Sequence, residues 1–203
     1  MVLPDWSPTK DVVPSSSCRG EVSTAPIHAA VGDALSRWEH LESGLTRLFQ
    51  LLCETPSFAA CRAYGTVESP FARSQMLRAA MDVFFASRTA IGSKEHKEMK
   101  VLFRAYDKAQ TYRNNIAHGI GVGFHLKSGA HSCYFLSPPS SATKKVAKVD
   151  PKEIYLLGAS YWYTCKDIEH YRDRFTVLLK ETMDQIQAVN GKYKVLQNSQ
   201  FHP

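Results

Sequence analysis

No stretch of the 203-residue chain holds the roughly 20 consecutive apolar residues that a membrane-crossing helix needs, and the first two dozen residues contain no apolar run of signal-peptide type. The expectation is a soluble, cytoplasmic protein with no membrane partner. Cysteine is sparse and scattered: Cys18, Cys53, Cys61, Cys133 and Cys165 form no C-x-x-C pair and have no histidine at zinc-ligand spacing. They read as reduced thiols. Glu39, His40 and Glu42 lie close together, but no second cluster of ligands accompanies them, so neither a metal nor another cofactor is expected. A glycine-rich phosphate loop followed by Lys-Ser or Lys-Thr is missing, as are a strand-turn serine nucleophile and an internal repeat. ATPase, serine hydrolase and solenoid readings fall away.

What is present suits one folded domain. Hydrophobic residues make up 44% of the chain, enough for a core at this size without staples. A net charge of +6, with an isoelectric point near 9.1, favours approach to polyanions.

Residues 1–25 carry Pro4, Pro8, Pro14 and the run Ser15-Ser16-Ser17 without a sustained apolar period, and read as a flexible arm outside the fold. From Ile27 the residues Ala30, Val31, Ala34, Leu35, Trp38, Leu41, Leu45, Leu48, Phe49 and Leu52 keep a helical period. Pro56 and the small residues of 58–65 read as a break. Ser69-Pro70 supplies an N-cap with proline at the first helical position, opening a second helix through Leu77 and Phe84. A third runs through Met99, Leu102, Phe103, Tyr106, Ala109 and Ile116 to His118, with Gly119 as its stop.

The alternation of Val122, Phe124 and Leu126, the turn residues Lys127-Ser128-Gly129 and the return through Cys133 to Leu136 predict a β-hairpin over 121–136, outside the helical bundle. A basic loop over 137–150 with Lys144, Lys145 and Lys148, and a short strand at Ile154 to Leu157, are expected next. The last helix starts near Thr164 or Cys165 and stops at Asn190-Gly191, leaving 193–203 as a tail. The domain is thus 26–192: mainly α, a bundle of four to five helices with a hairpin inserted between the third and last long helices.

The segment Tyr112-Arg113-Asn114-Asn115-Ile116-Ala117-His118-Gly119, at the end of a helix in a helical bundle, resembles the Arg-x4-6-His signature of ribonucleases of the HEPN (higher eukaryote and prokaryote nucleotide-binding) superfamily. The resemblance implies a HEPN-like bundle and a metal-independent endoribonuclease. It further implies that Arg113 and His118 are catalytic, that cleavage leaves a cyclic phosphate and that two protomers meet at the site. A role as toxin or defence effector, with an antitoxin or other partner protein, belongs to the same implication. A non-catalytic HEPN-like module that dimerises or binds RNA or protein is the alternative.

The residue chemistry agrees with the resemblance. Histidine titrates near neutrality and can move the proton of a 2′-hydroxyl, while arginine keeps its charge and offers a planar fork to a phosphorane-like transition state. Asn114 lies four residues before His118 on one helical face, and Asn115 stands beside it as a second supporting amide. On an ideal wheel Arg113 shares the core face with Leu102, Tyr106 and Ala109, about 140° from His118. An inward charge needs a partner, and Glu42, on the margin of the first helix's apolar stripe, is the acid expected to hold Arg113. Arg113 also suits a purely structural ion pair, and His118 a C-terminal cap.

Lys97, Lys100, Arg104 and Lys108 form a basic stripe that suits an RNA backbone, or simply a solvated face. Tyr161, Trp162 and Tyr163 suit base stacking less well than packing.

Overall fold

A computed structural model describes residues 6, 20–88, 93–125, 132–139, 159 and 161–200. The described residues form five helices, α1 (Thr24–Leu52), α2 (Phe58–Gly65), α3 (Pro70–Ala86), α4 (Ser93–His118) and α5 (Cys165–Gln200). A single antiparallel hairpin, β1 (Ile120–His125) with β2 (Ser132–Ser137), lies between α4 and α5 in the chain. The protein is therefore mainly α, a helical bundle carrying the expected hairpin. No helix among the described residues is long and apolar enough to cross a membrane. The expected 140–150 part of the basic loop, the turn at Lys127 to Gly129 and the strand at Ile154 to Leu157 lie outside the described residues.

Two helix boundaries correct the sequence reading. The segment after Pro56 is a helix rather than a break: the Ser57 side chain accepts from the Ala59 amide at 3.1 Å, and Cys61 and Tyr64, three apart, bury one face. Tyr64 stacks on Phe49 with ring centroids 5.0 Å apart. At the other end, Asn190-Gly191 does not stop α5, which continues to Gln200. A helical glycine costs about 1 kcal/mol, and anchors on both sides of it outweigh that: Val189 is fully buried and Tyr193 lies against Phe84 and the Arg88 guanidinium. The start of α3 is as expected, with Ser69 accepting from Ala72 at 3.3 Å ahead of Pro70.

The chain divides into two compact units. The first comprises Trp38–Gln110 and Arg174–Pro203. Its core gathers Trp38, Leu41, Leu45 and Leu48 of α1, Leu77 and Met81 of α3, Met99, Leu102, Phe103 and Tyr106 of α4, and Phe175 and Leu178 of α5, all essentially without exposure. Trp38 stacks on Tyr106 at 5.5 Å and meets Phe175 edge-on at 5.3 Å. Gly44 lets α1 and α5 approach closely here, since a Cβ at that position would stand 2.9 Å from Leu179 Cδ1.

The second unit comprises Trp6–Arg37 and Thr111–Asp173. It shows that the arm is not wholly outside the fold, because Trp6 is 4% exposed and stacks on Tyr112, whose hydroxyl donates to the Trp6 carbonyl at 2.9 Å. An isolated tryptophan carries too little periodicity to be read from sequence, yet it buries a large apolar surface once a ring is there to receive it.

The hairpin is likewise no appendage. Leu136 exchanges two backbone hydrogen bonds with Tyr163, both 2.9 Å, and Tyr134 exchanges two with Glu21 at 2.8 and 2.9 Å. Cys133, Phe135 and Leu136 are buried. Cys133 is disulfide-bonded, whereas Cys53, Cys61 and Cys165 are free thiols. The expectation of thiols throughout is thus corrected at Cys133, because a disulfide depends on how close two sulfurs are brought in space, which cysteine spacing does not reveal.

Candidate functional site

The last two turns of α4 carry the motif. Arg113 is half-buried, and its Nε is fully buried with no hydrogen-bond partner among the described residues. Its Nη1 donates to Asn114 Oδ1 at 3.3 Å. The inward direction read from the helical wheel is therefore present. The wheel also turned His118 away from that face, and His118, the last residue of α4, is exposed, as is Asn114.

Glu42 requires a correction. Its carboxylate, 7% exposed as a residue, is engaged by Arg73 Nη1 at Oε2 (3.0 Å) and by the Tyr106 hydroxyl at Oε1 (2.6 Å), rather than held ready for Arg113. The wheel ranks faces, but it carries no information about which cation another helix brings; α3 brings Arg73, whose Nε also donates to the Val67 carbonyl at 2.6 Å. Burial, with the Glu42 charge next, pushes the Tyr106 hydroxyl well above the usual tyrosine range, so it stays a donor. Glu42→Ala would leave that hydroxyl and the Arg73 guanidinium short of an acceptor. We expect it to destabilise the protein by about 3 kcal/mol, and Glu42→Gln by clearly less, as read by urea denaturation. Equal midpoints for Glu42→Ala and the wild type would refute this role.

Asn115 is held from two sides. Its Nδ2 donates to the Tyr163 hydroxyl at 3.0 Å, and its carbonyl accepts from the Tyr161 hydroxyl at 2.8 Å. Tyr161 and Tyr163 stack at 4.6 Å, and the series continues through Tyr163 to Tyr171 (5.2 Å) and Tyr171 to Tyr112 (4.4 Å). Burial raises the pKa of Tyr163 and pushes Tyr161 up to about 12, which keeps both hydroxyls protonated at neutral pH. These tyrosines thus pack and brace, as the sequence favoured, and Trp162 meets Phe135 edge-on at 6.3 Å.

Gly119 closes the motif for a steric reason. A Cβ there would stand 2.6 Å from Leu136 Cγ and 2.9 Å from the Asn115 carbonyl, so only glycine lets β2 pass beside the helix end. The start of α5 is secured by Asp167, whose Oδ2 accepts from the Thr164 amide at 2.9 Å and the Thr164 hydroxyl at 2.7 Å.

Comparison with family models, curated proteins and solved structures returns no match. The site must therefore be judged on its own geometry.

That geometry brings Arg113, Asn114, Asn115 and His118 onto one helix end and leaves Glu42 in a separate network. Lys97, Lys100, Arg104 and Lys108 are all exposed on α4 in the first unit. The sequence assigned no bracing part to Tyr112, which it placed in the motif segment, or to Tyr171 and His170; the ring nitrogen His170 Nε2 is buried without a partner among the described residues, and its ring meets Tyr171 edge-on at 5.5 Å. The density of tyrosines in 161–171 was the available signal. Cys165 is a poor nucleophile, since burial and then Glu21 push its thiol up to about 12. No group of three or more potential metal-binding side chains occurs among the described residues.

Proposed function

We propose that the chain is a metal-independent endoribonuclease of HEPN type, with Arg113 and His118 as its catalytic residues. The observation that supports the reading is that one braced helix end carries an exposed histidine and, on a different face, an arginine whose buried Nε lacks a partner among the described residues. A histidine facing solvent can reach a substrate, and an arginine with unused donors can donate to a phosphate oxygen.

In this reaction the substrate's 2′-oxygen attacks the adjacent phosphorus as the P–O5′ bond breaks. His118 takes the 2′-proton and returns one to the departing 5′-oxygen, while Arg113 faces the charge that builds on the equatorial oxygens. The products are a 2′,3′-cyclic phosphate and a 5′-hydroxyl. Asn114 holds one amino group of Arg113, and Asn115, fixed by the two tyrosines, keeps the helix end in register. A homodimer in which two such ends approach completes the proposal. In its support, His118 and Ile120, the latter 49% exposed, stand open on the surface of this unit.

The test is cleavage of a mixed RNA in EDTA, with product ends analysed. Activity in the chelator, cyclic phosphate ends and resistance of an RNA bearing a 2′-deoxy sugar at the cut position are expected. Cutting of that deoxy substrate would remove the mechanism. Absence of cutting at any RNA concentration would leave the non-catalytic binding module.

A further inference from the structure

In the first unit, α3 and α4 border an open recess of about 270 Å³ lined by Arg78, Met81 and Asp82 from one helix and Lys100 and Arg104 from the other. The volume lies just under the roughly 300–1,000 Å³ of small-molecule pockets, room for a phosphate with part of its sugar. Its charges are unequal. Asp82 Oδ1, the acid of the lining, faces His96 Nε2 at 3.3 Å, and Arg78 is neutralised by Asp107 at 2.5 Å. Lys100 and Arg104 make no ion pair or hydrogen bond among the described residues, so two positive charges one helical turn apart face a recess in whose lining Asp82 is the single acid.

The Arg78 wall is preset. Its Nη2 is bonded to Asp107, which also accepts from the Ser74 hydroxyl at 2.6 Å, and the guanidinium lies over the Phe103 ring at 5.8 Å from its centroid. One edge of the fork is thereby fixed and its other donors remain for a ligand. Met81, 1% exposed, gives the recess an apolar floor.

We propose that this recess is a phosphate-binding site, with Lys100 and Arg104 as its principal cations and Arg78 as a fixed donor. Cationic walls around an apolar floor suit a phosphate joined to a sugar better than a free carboxylate, whose carbon chain would meet charge on both sides. The phosphate comes either from the backbone of single-stranded RNA or from a nucleoside monophosphate. Nothing in the inference depends on Arg113 or His118.

The test uses the full chain with a 5′-fluorescein dodecamer of 2′-O-methyladenosine, which the proposed nuclease cannot cut, and AMP as a second probe. Lys100→Gln/Arg104→Gln is compared with Arg47→Gln/Arg62→Gln, two exposed arginines away from the recess that remove the same charge. The recess variant should weaken binding about tenfold and reduce the slope of log affinity against log salt by about 2, with the control changing affinity less than about threefold. His118→Ala should bind as the wild type does, which separates this site from the nuclease reading. Displacement of the dodecamer by AMP, or direct AMP binding lost in the recess variant, upholds the site with the monoester as its ligand. Binding of the dodecamer alone upholds it with the backbone phosphate. Equal weakening in the recess and control variants, or no binding of either probe at low salt, overturns the proposal.

Discussion

His118→Ala should lower RNA cleavage by about 10²- to 10⁴-fold while leaving the melting temperature within a degree or two of the wild type. The first half follows from the proton that the 2′-hydroxyl must lose; without the imidazole only water is left to take it. The second follows from exposure, because His118 makes no hydrogen bond among the described residues and its loss uncovers nothing. Arg113→Ala should lower cleavage by about 10²- to 10³-fold, the usual loss for one donor aimed at transition-state charge. Arg113→Lys should recover little, since a point charge replaces a planar fork. If both residues serve one step, the double variant will be scarcely slower than the worse single, whereas multiplied losses would assign them to separate steps. Activity should also fall as salt rises and screens the phosphates. Full activity in His118→Ala, at unchanged fold by circular dichroism, ends the ribonuclease reading.

Phe135→Ala should cost about 4 kcal/mol, within the range for removing a buried aromatic, and lower the melting temperature by about 8–16 °C in a chain of this size. Phe135 has no exposure, meets Trp162 edge-on and lies on β2 between two residues, Tyr134 and Leu136, that are bonded through their backbones to Glu21 and Tyr163. Truncating it opens a cavity where strand and helix-flanking residues converge. Deletion of 121–136 should have a still larger effect, because it removes both Leu136, against which Gly119 is packed, and the strand to which Tyr163 is bonded. Tyr163 in turn holds Asn115, so partial unfolding there should reach the helix end that carries Arg113 and His118. A deletion variant with the wild-type melting temperature would return the hairpin to the status of an appendage.

By itself the sequence determined those elements whose information is local. The period from Ile27 to Leu52 specified α1, Ser69-Pro70 the start of α3, Gly119 the end of α4 and the alternation around Val122 the hairpin, because periodicity, capping and turn chemistry act within a few residues. The inward turn of Arg113 and the outward placement of His118 were legible in the same way. Contacts between distant segments were decided by tertiary structure. Glu42 is claimed by Arg73 and Tyr106, Trp6 is held by Tyr112, β2 is bridged by Glu21 and Tyr163, and Cys133 is joined in a disulfide. In each case several partners of suitable chemistry exist along the chain, and only the packing of one element against another brings a particular one within hydrogen-bond or covalent reach. The run of α5 past Asn190-Gly191 follows the same logic, since a weak local stop yields to the burial of Val189 and the seating of Tyr193 on Phe84.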